Sequence, residues 1–241
     1  MQQRIALVTG GTRGIGSAIS LALKNKGYKV IANYHKNHET AEAFRKQHSI
    51  DIYSWDVSSY EECQSAVQKI IQEHGEISIL VHNAGITKDS FFHKMSPSMW
   101  NEVIQTNLSS CFNMAHPLVE SMRQNGFGRI IMLSSINALK GQMGQVNYCA
   151  AKAGIIGFSK ALALETASKG ITVNVIAPGY TDTEMVRSVS ENVLEKILAQ
   201  IPAGRLGHAD EIARCVTFLA DENAGFITGE TLNINGGQYL S

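Results

Sequence analysis

Tyr148 and Lys152 stand one helical turn apart in "YCAAKAG", and Ser134 and Ser135 close the apolar run "RIIMLSS" shortly before them. At i and i+4 the phenol and the ammonium share one helix face. A tyrosine so placed can protonate the oxygen of a carbonyl undergoing reduction, and Ser135 can hold that oxygen by a hydrogen bond. A nearby ammonium favours the phenolate. At about 4 Å and an effective dielectric of 20 the attraction is of order 4 kcal/mol before desolvation. Half of that would bring the phenol pKa down by roughly one or two from its ordinary value near 10. The same spacing also suits a packed tyrosine beside a snorkelling lysine, and the small residues Ala150, Ala151, Ala153 and Gly154 suit close helix packing as well as close approach of a ligand.

A second chemical signal lies near the start of the chain. "TGGTRGIG" sets Gly10, Gly14 and Gly16 between the apolar run "RIALVT" and the helical pattern that follows. Glycines at such a turn let backbone approach a pyrophosphate and aim a helix N-terminus at negative charge. The absence of G-K-[ST] argues against a triphosphate P-loop. Thr12, Arg13 and Ile15 complete that turn. An acid that would bind ribose hydroxyls is missing from "ANYHK" after the second strand, where Asn33 and Tyr34 stand instead. With Arg13 available for a 2′-phosphate, the pair of observations favours NADP over NAD. Asp56 with Val57, and Asn83, Ala84 and Gly85 of "HNAG", follow the third and fourth strands and extend the candidate crevice.

These segments need a scaffold that aligns strand ends. "RIALVT", "KVIANY", "IDIYSWDV", "ISILVHNAG", "RIIMLSS", "ITVNVIAPG" and "TLNING" read as strands, separated by helical patterns over 17–26, 39–47, 60–73, 97–125, 148–169, 187–200 and 209–219. The alternation predicts an α/β fold: one Rossmann-like doubly wound domain over 1–241 with a seven-stranded parallel sheet covered on both faces. No linker or repeat divides the chain.

Composition excludes several classes. The 241 residues carry 21 Lys plus Arg against 21 Asp plus Glu, so no basic excess points to nucleic acid. No apolar run spans a membrane, and the start of the chain leaves no room for a secretory leader, so a soluble cytoplasmic protein is expected. The four cysteines and eight histidines show no metal-ligand spacing.

Taken together, "TGGTRGIG", "NAG", Asn107, Ser135, "YCAAK" and "APG" at 177–179 make the chain resemble the classical short-chain dehydrogenase/reductase family over nearly its full length. The resemblance implies catalytic Ser135, Tyr148 and Lys152, with Asn107 supporting a helix kink and a water in a proton relay. It implies NADPH as cofactor, with Lys152 on the nicotinamide ribose and Pro178, Gly179 and Thr181 bordering the nicotinamide. It further implies a substrate lid around 181–200 and a homotetramer. "NAGITKDSFFHKM", "SSINALKGQMGQVNY", "GYTDTEMV" and "NINGGQYLS" are similar to members acting on 3-oxoacyl thioesters. That similarity implies acetoacetyl-CoA or a related 3-oxoacyl thioester as substrate, with Lys140, Gln142, Met143, Gln145 and Tyr180 on the acyl-CoA side. A carrier-protein thioester remains the alternative, for which Arg123, Arg129 and Lys140 would offer a basic entrance. A nonenzymatic NADP-binding protein is the alternative of a different class, and storage-polymer or fatty-acid synthesis the alternative destinations.

Overall fold

Seven short runs rich in Ile, Val and Leu become the strands β1 (Ile5–Thr9), β2 (Lys29–Tyr34), β3 (Asp51–Ser54), β4 (Ile77–His82), β5 (Gly128–Leu133), β6 (Ile171–Pro178) and β7 (Thr231–Ile234) in a computed structural model that describes residues 3–183, 186 and 191–240. They form one all-parallel sheet in the order β3-β2-β1-β4-β5-β6-β7. Every residue of β1, β5 and β6 is buried, as expected of strands covered on both faces. The expected single Rossmann-like domain with seven parallel strands is the fold observed.

The helices are α1 (Gly14–Asn25), α2 (His38–His48), α3 (Tyr60–His74), α4 (Pro97–Ile104), α5 (Ser110–Asn125), the short α6 (Asn137–Lys140), α7 (Val146–Thr166), α8 (Glu191–Leu198) and α9 (Ala209–Ala220). Side chains alternate across the sheet. Leu7, Leu80 and Ile130 pack with Val67, Leu118 and Ile155 of α3, α5 and α7. Val8, Val81 and Ile131 pack on the other face with Ile19, Phe44 and Val216 of α1, α2 and α9. The order in which strands are added reverses between β1 and β4, which lie side by side and parallel, and this switch point opens a crevice at their C-terminal ends.

Three features of the helices bear on the site. First, α1 begins at Gly14 rather than near residue 17, because Gly16 enters the helix where a Cβ would meet Gly10 O at 2.0 Å. Second, the long helix expected over 97–125 is interrupted by a π-helical turn, Gln105–Ser109, which holds Asn107. Such a turn inserts one residue into the ladder and re-aims the side chains within it. Third, Gly154 allows α7 to press on that turn, since a Cβ there would meet Leu108 Cδ2 at 2.8 Å. Of the small residues in "YCAAKAG", Ala151 is buried, whereas Ala150 and Ala153 face outward. The expected lid is described only over 181–183, at 186 and over 191–200; the rest of it lies outside the described residues.

Candidate functional site

The glycine-rich turn leaves β1 with Gly10 at φ 60° and Gly14 at φ 52°, backbone that favours glycine. Among the described residues, no side chain caps α1 and no acid stands in its first turn, so its N–H groups remain directed at the crevice. Two asparagines hold this turn in place. Asn33 accepts from Gly10 N at 3.3 Å and donates to Tyr34 O and Trp55 O at 3.0 and 3.1 Å. Asn83 donates to Thr9 O and Gly10 O at 3.1 and 3.2 Å. Both are candidate cofactor contacts by sequence. Their amides are committed to the backbone that shapes the cofactor seat.

A cleft of about 680 Å³ runs from Gly10, Thr12 and Arg13 past Tyr34, Asp56 and Val57 to Ala84 and Gly85. Ile15 is half-buried against the core beneath it. His35, Lys36 and Lys88 also line the cleft, beside the exposed Arg13. Sequence reasoning had assigned none of these three, although "HK" directly follows the second strand. Asp56 accepts from Ser58 N and Oγ at 2.9 and 2.8 Å and faces His35 Nε2 at 3.8 Å. Burial pushes its carboxyl up, but the Ser58 bonds and the charges of His35 and Lys36 outweigh that and hold it below the ordinary value.

Toward the middle of the sheet the cleft reaches Gly85, where a Cβ would lie 3.2 Å from Asn107 Oδ1 and 3.5 Å from Lys152 Nζ. Asn107 is fully buried and uses its whole amide on one residue: Oδ1 accepts from Ile86 N at 2.8 Å and Nδ2 donates to Ile86 O at 2.9 Å. Lys152 donates to Leu133 O at 2.7 Å, and Ser134 Oγ donates to Lys152 O at 2.7 Å, so the end of β5 grips the start of α7 from both sides. Burial pushes the Lys152 ammonium down to about 8. Ser135 is buried and accepts from Asn137 N at 3.1 Å.

The phenol departs from the expectation of a depressed pKa. Burial pushes Tyr148 up to about 12, and a hydrogen bond with Ser135 offsets only part of that. The Lys152 ammonium stands 5.7 Å from the Tyr148 ring centroid and is engaged by Leu133 O, so desolvation outweighs the attraction invoked from spacing alone. Tyr148 is thereby held firmly protonated.

Asn147, which sequence reasoning passed over, is fully buried beside it. It donates to Lys88 O and Met99 O at 3.1 Å each and accepts from Tyr148 N at 2.8 Å, tying the first turn of α7 to α4 and to the loop that follows β4. An Asn immediately before the tyrosine was the available signal.

The residues assigned to the acyl-CoA side differ in how they are held. Lys140 Nζ reaches Gln142 Oε1 at 3.4 Å and lies 5.9 Å from the half-buried Tyr180 ring. Gln145 is bound at both ends, accepting from Asn137 Nδ2 and donating to Asp89 Oδ2 at 2.9 Å. Met143 is 77% exposed. Pro178 ends β6 and accepts from Ile136 N, Gly179 N donates to Ile234 O, and Thr181 is buried with Oγ1 on Gly179 O at 3.2 Å. Of the proposed basic entrance, only Lys140 belongs to this end of the sheet. Arg129 is the second residue of β5, at the opposite end and buried among carbonyls, and Arg123 lies in the last turn of α5.

No group of three or more metal-binding side chains and no helix long and apolar enough to cross a membrane occurs among the described residues. A family model described as Enoyl-(Acyl carrier protein) reductase matches residues 10–238. The chain is 61% identical to Acetoacetyl-CoA reductase of Rhizobium meliloti (strain 1021), over 99% of each chain. It is 56% identical to Acetoacetyl-CoA reductase of Paracoccus denitrificans, over 98% of this chain and 99% of that one. It is 47% identical to 3-oxoacyl-[acyl-carrier-protein] reductase FabG of Escherichia coli (strain K12), over 98% of each. A doubly wound sheet, a glycine-shaped crevice at its switch point and matches that span almost the whole chain agree: the chain belongs to the short-chain dehydrogenase/reductase family of oxidoreductases.

Proposed function

We propose that this protein is an NADPH-dependent reductase that converts acetoacetyl-CoA to (R)-3-hydroxybutyryl-CoA. The observation that carries the reading is the convergence of Ser135, Tyr148 and Lys152 at the end of a cleft whose far wall holds Arg13, His35 and Lys36. The residues present suit the cofactor. Gly16 sits where any side chain would collide with Gly10 O, the α1 N-terminus is uncapped, and Lys152 is a buried cation whose observed bond is to a neutral carbonyl. Arg13, with His35 and Lys36, would hold the 2′-phosphate; Asp56 and Val57 would face the adenine; Lys152 would take the nicotinamide ribose; and Pro178, Gly179 and Thr181 would border the ring.

When bound, NADPH supplies the hydride. Ser135 holds the 3-keto oxygen, and Tyr148 donates its hydroxyl proton to that oxygen. Because burial keeps Tyr148 protonated, the charge of Lys152 has its effect as the proton leaves, stabilising the phenolate that forms. Asn107 holds the segment at Ile86, and its π turn is the expected place for a water returning the proton. Lys140, Gln142 and Tyr180 would contact the CoA portion, with Met143 at the rim, Gln145 positioned by Asn137 and Asp89, and 181–200 forming a lid.

Exposed Phe112, Leu164, Phe218, Phe226 and Leu240 favour assembly, which we assign as a homotetramer of a cytoplasmic enzyme. The relatives named for acetoacetyl-CoA are more similar than those named for the carrier-protein thioester, and the displacement of Arg123 and Arg129 from the entrance also favours the smaller thioester. Initial rates with NADPH and either acetoacetyl-CoA or acetoacetyl-carrier protein at matched concentration test this, followed by chiral analysis of the alcohol. Faster turnover of the CoA ester to the (R) product is expected. Strong preference for the carrier would transfer the assignment to fatty-acid synthesis, and an absence of NADPH consumption over a broad carbonyl panel would leave a dinucleotide-binding protein.

A further inference from the structure

His82 ends β4 directly before the Asn83–Ala84–Gly85 segment and is almost completely buried, yet the catalytic reading gives it no part. Its register partners are Thr9 of β1 and Met132 of β5. Nδ1 lies 3.0 Å from Thr9 Oγ1, and Nε2 lies 2.8 Å from Ser110 Oγ, the first residue of α5 after the π turn.

The surrounding donors settle the tautomer. Ser110 donates its hydroxyl proton to Thr106 O at 2.6 Å, so toward the ring it can only accept, and Nε2 must carry the hydrogen. Nδ1 is then bare and accepts from the Thr9 hydroxyl. Thr9 Oγ1 in turn accepts from Asn83 N and Ala84 N, both at 3.0 Å. All polar valences in this chain are met by a neutral ring in one tautomer and orientation. A protonated ring would present Nδ1–H to a hydroxyl oxygen that already receives two N–H groups.

We propose that His82 is a positioning residue whose neutral Nε2–H imidazole ties the glycine-rich turn and the segment over 83–85 to the π turn carrying Asn107. Thr9 continues into Gly10, the start of the cofactor turn, while Thr106 and Ser110 flank Asn107. One ring therefore sets the spacing between the dinucleotide seat and the end of the cleft where proton transfer takes place. Among the described residues, the charged group acting on the ring is Lys152 of α7, which together with burial disfavours a second proton on it; Thr9, Met132 and Ser110, from β1, β5 and α5, carry no charge. This inference rests on the reductase reading above.

The test uses the full chain labelled with 15N at histidine, NADP⁺ titrated by the fluorescence of Trp55, which lines the cleft, and turnover of acetoacetyl-CoA with NADPH. Ser110→Ala is the main variant because it removes one hydroxyl outside the cleft. Its NADP⁺ dissociation constant is expected to rise about fivefold or more, the effect of one lost hydrogen bond to a buried group, with kcat falling as well. Thr9→Val should act similarly, and the double variant should bind little worse than the weaker single one, because either cut breaks the same chain. In the wild type, His82 should remain a neutral Nε2–H ring from about pH 8 to about pH 5.5, through the range where an ordinary histidine titrates.

An Nδ1–H tautomer, a ring titrating at the ordinary value, or a Ser110→Ala protein that melts lower but binds NADP⁺ as tightly as the wild type would overturn the inference. If these binding and NMR results hold while acetoacetyl-CoA is not turned over, the substrate assignment fails and the positioning role stands. If the wild type binds no nicotinamide dinucleotide, both fall.

Discussion

The two ends of the sheet both bury polar side chains but to opposite effect. At the N-terminal end, Arg129 donates to Gly128 O, Gly170 O, Asp221 O and Glu222 O at 2.9–3.3 Å, and Arg4 pairs with Glu222 at 2.5 Å. The two guanidinium carbons lie 4.3 and 3.3 Å from the Phe127 ring centroid. The hollow there, about 860 Å³, is larger than the dinucleotide cleft. At the C-terminal end, neutral amides do the holding: Asn33, Asn83, Asn107 and Asn147 take up backbone groups. Lys152 is left with a carbonyl partner, and Tyr148 with its proton. A site is distinguished here by chemistry left available for a ligand, whereas Arg4 in the larger hollow is already paired with Glu222.

The sharpest way to test this contrast is Tyr148→Phe. Its kcat should fall roughly a thousandfold, within the range for a lost general acid, while NADPH affinity and the melting temperature stay close to the wild type. A near-native rate in purified protein would remove the acid from the proposal. The next measurement sets one cation at each end against the other. Lys152 has its folded-state pKa lowered to about 8, so between there and its unfolded value the unfolded chain binds more protons and stability rises with pH. Below pH 8 the cost of burying the charge is fully present. Lys152→Met, nearly inactive, should therefore lack this pH dependence, so that its stability relative to the wild type is highest below about pH 8 and falls between about pH 8 and pH 10.5. Arg129→Met should do the reverse, losing about 2–3 kcal/mol in denaturant titrations by orphaning buried carbonyls while kcat at low temperature is retained. A stabilised Arg129 variant would erase the distinction between the ends. The smallest effect is expected at Arg13→Ala, which should weaken NADPH about tenfold and NADH hardly at all, as measured by titration. Equal losses would take Arg13 off the 2′-phosphate.

Much of the scaffold was legible because strands buried on both faces read as largely apolar runs: "RIALVT" and "ITVNVIAP" each place a strand without help from distant residues. The π turn was not legible from periodicity, since Gln105 to Ser109 continue a helical pattern and the inserted residue is selected by what packs on it, chiefly Gly154 and Ile86; the family resemblance alone implied a kink at Asn107. His35 and Lys36 were visible as residue types, but their entry into the cleft depends on how β2 ends beside β3. Arg129 was misplaced at the entrance because charge alone suggests a surface, whereas the fold surrounds it with carbonyls.

By itself, then, the amino-acid order determined the alternation of strands and helices, the glycine turn and the one-turn spacing of Tyr148 and Lys152, all of which depend on near neighbours in the chain. Tertiary structure alone decided the proton affinities and the partners: a phenol raised rather than lowered, an ammonium lowered, and a histidine held neutral between two hydroxyls. Those outcomes depend on desolvation and on hydrogen-bond partners as far as 73 residues away, which local spacing does not encode.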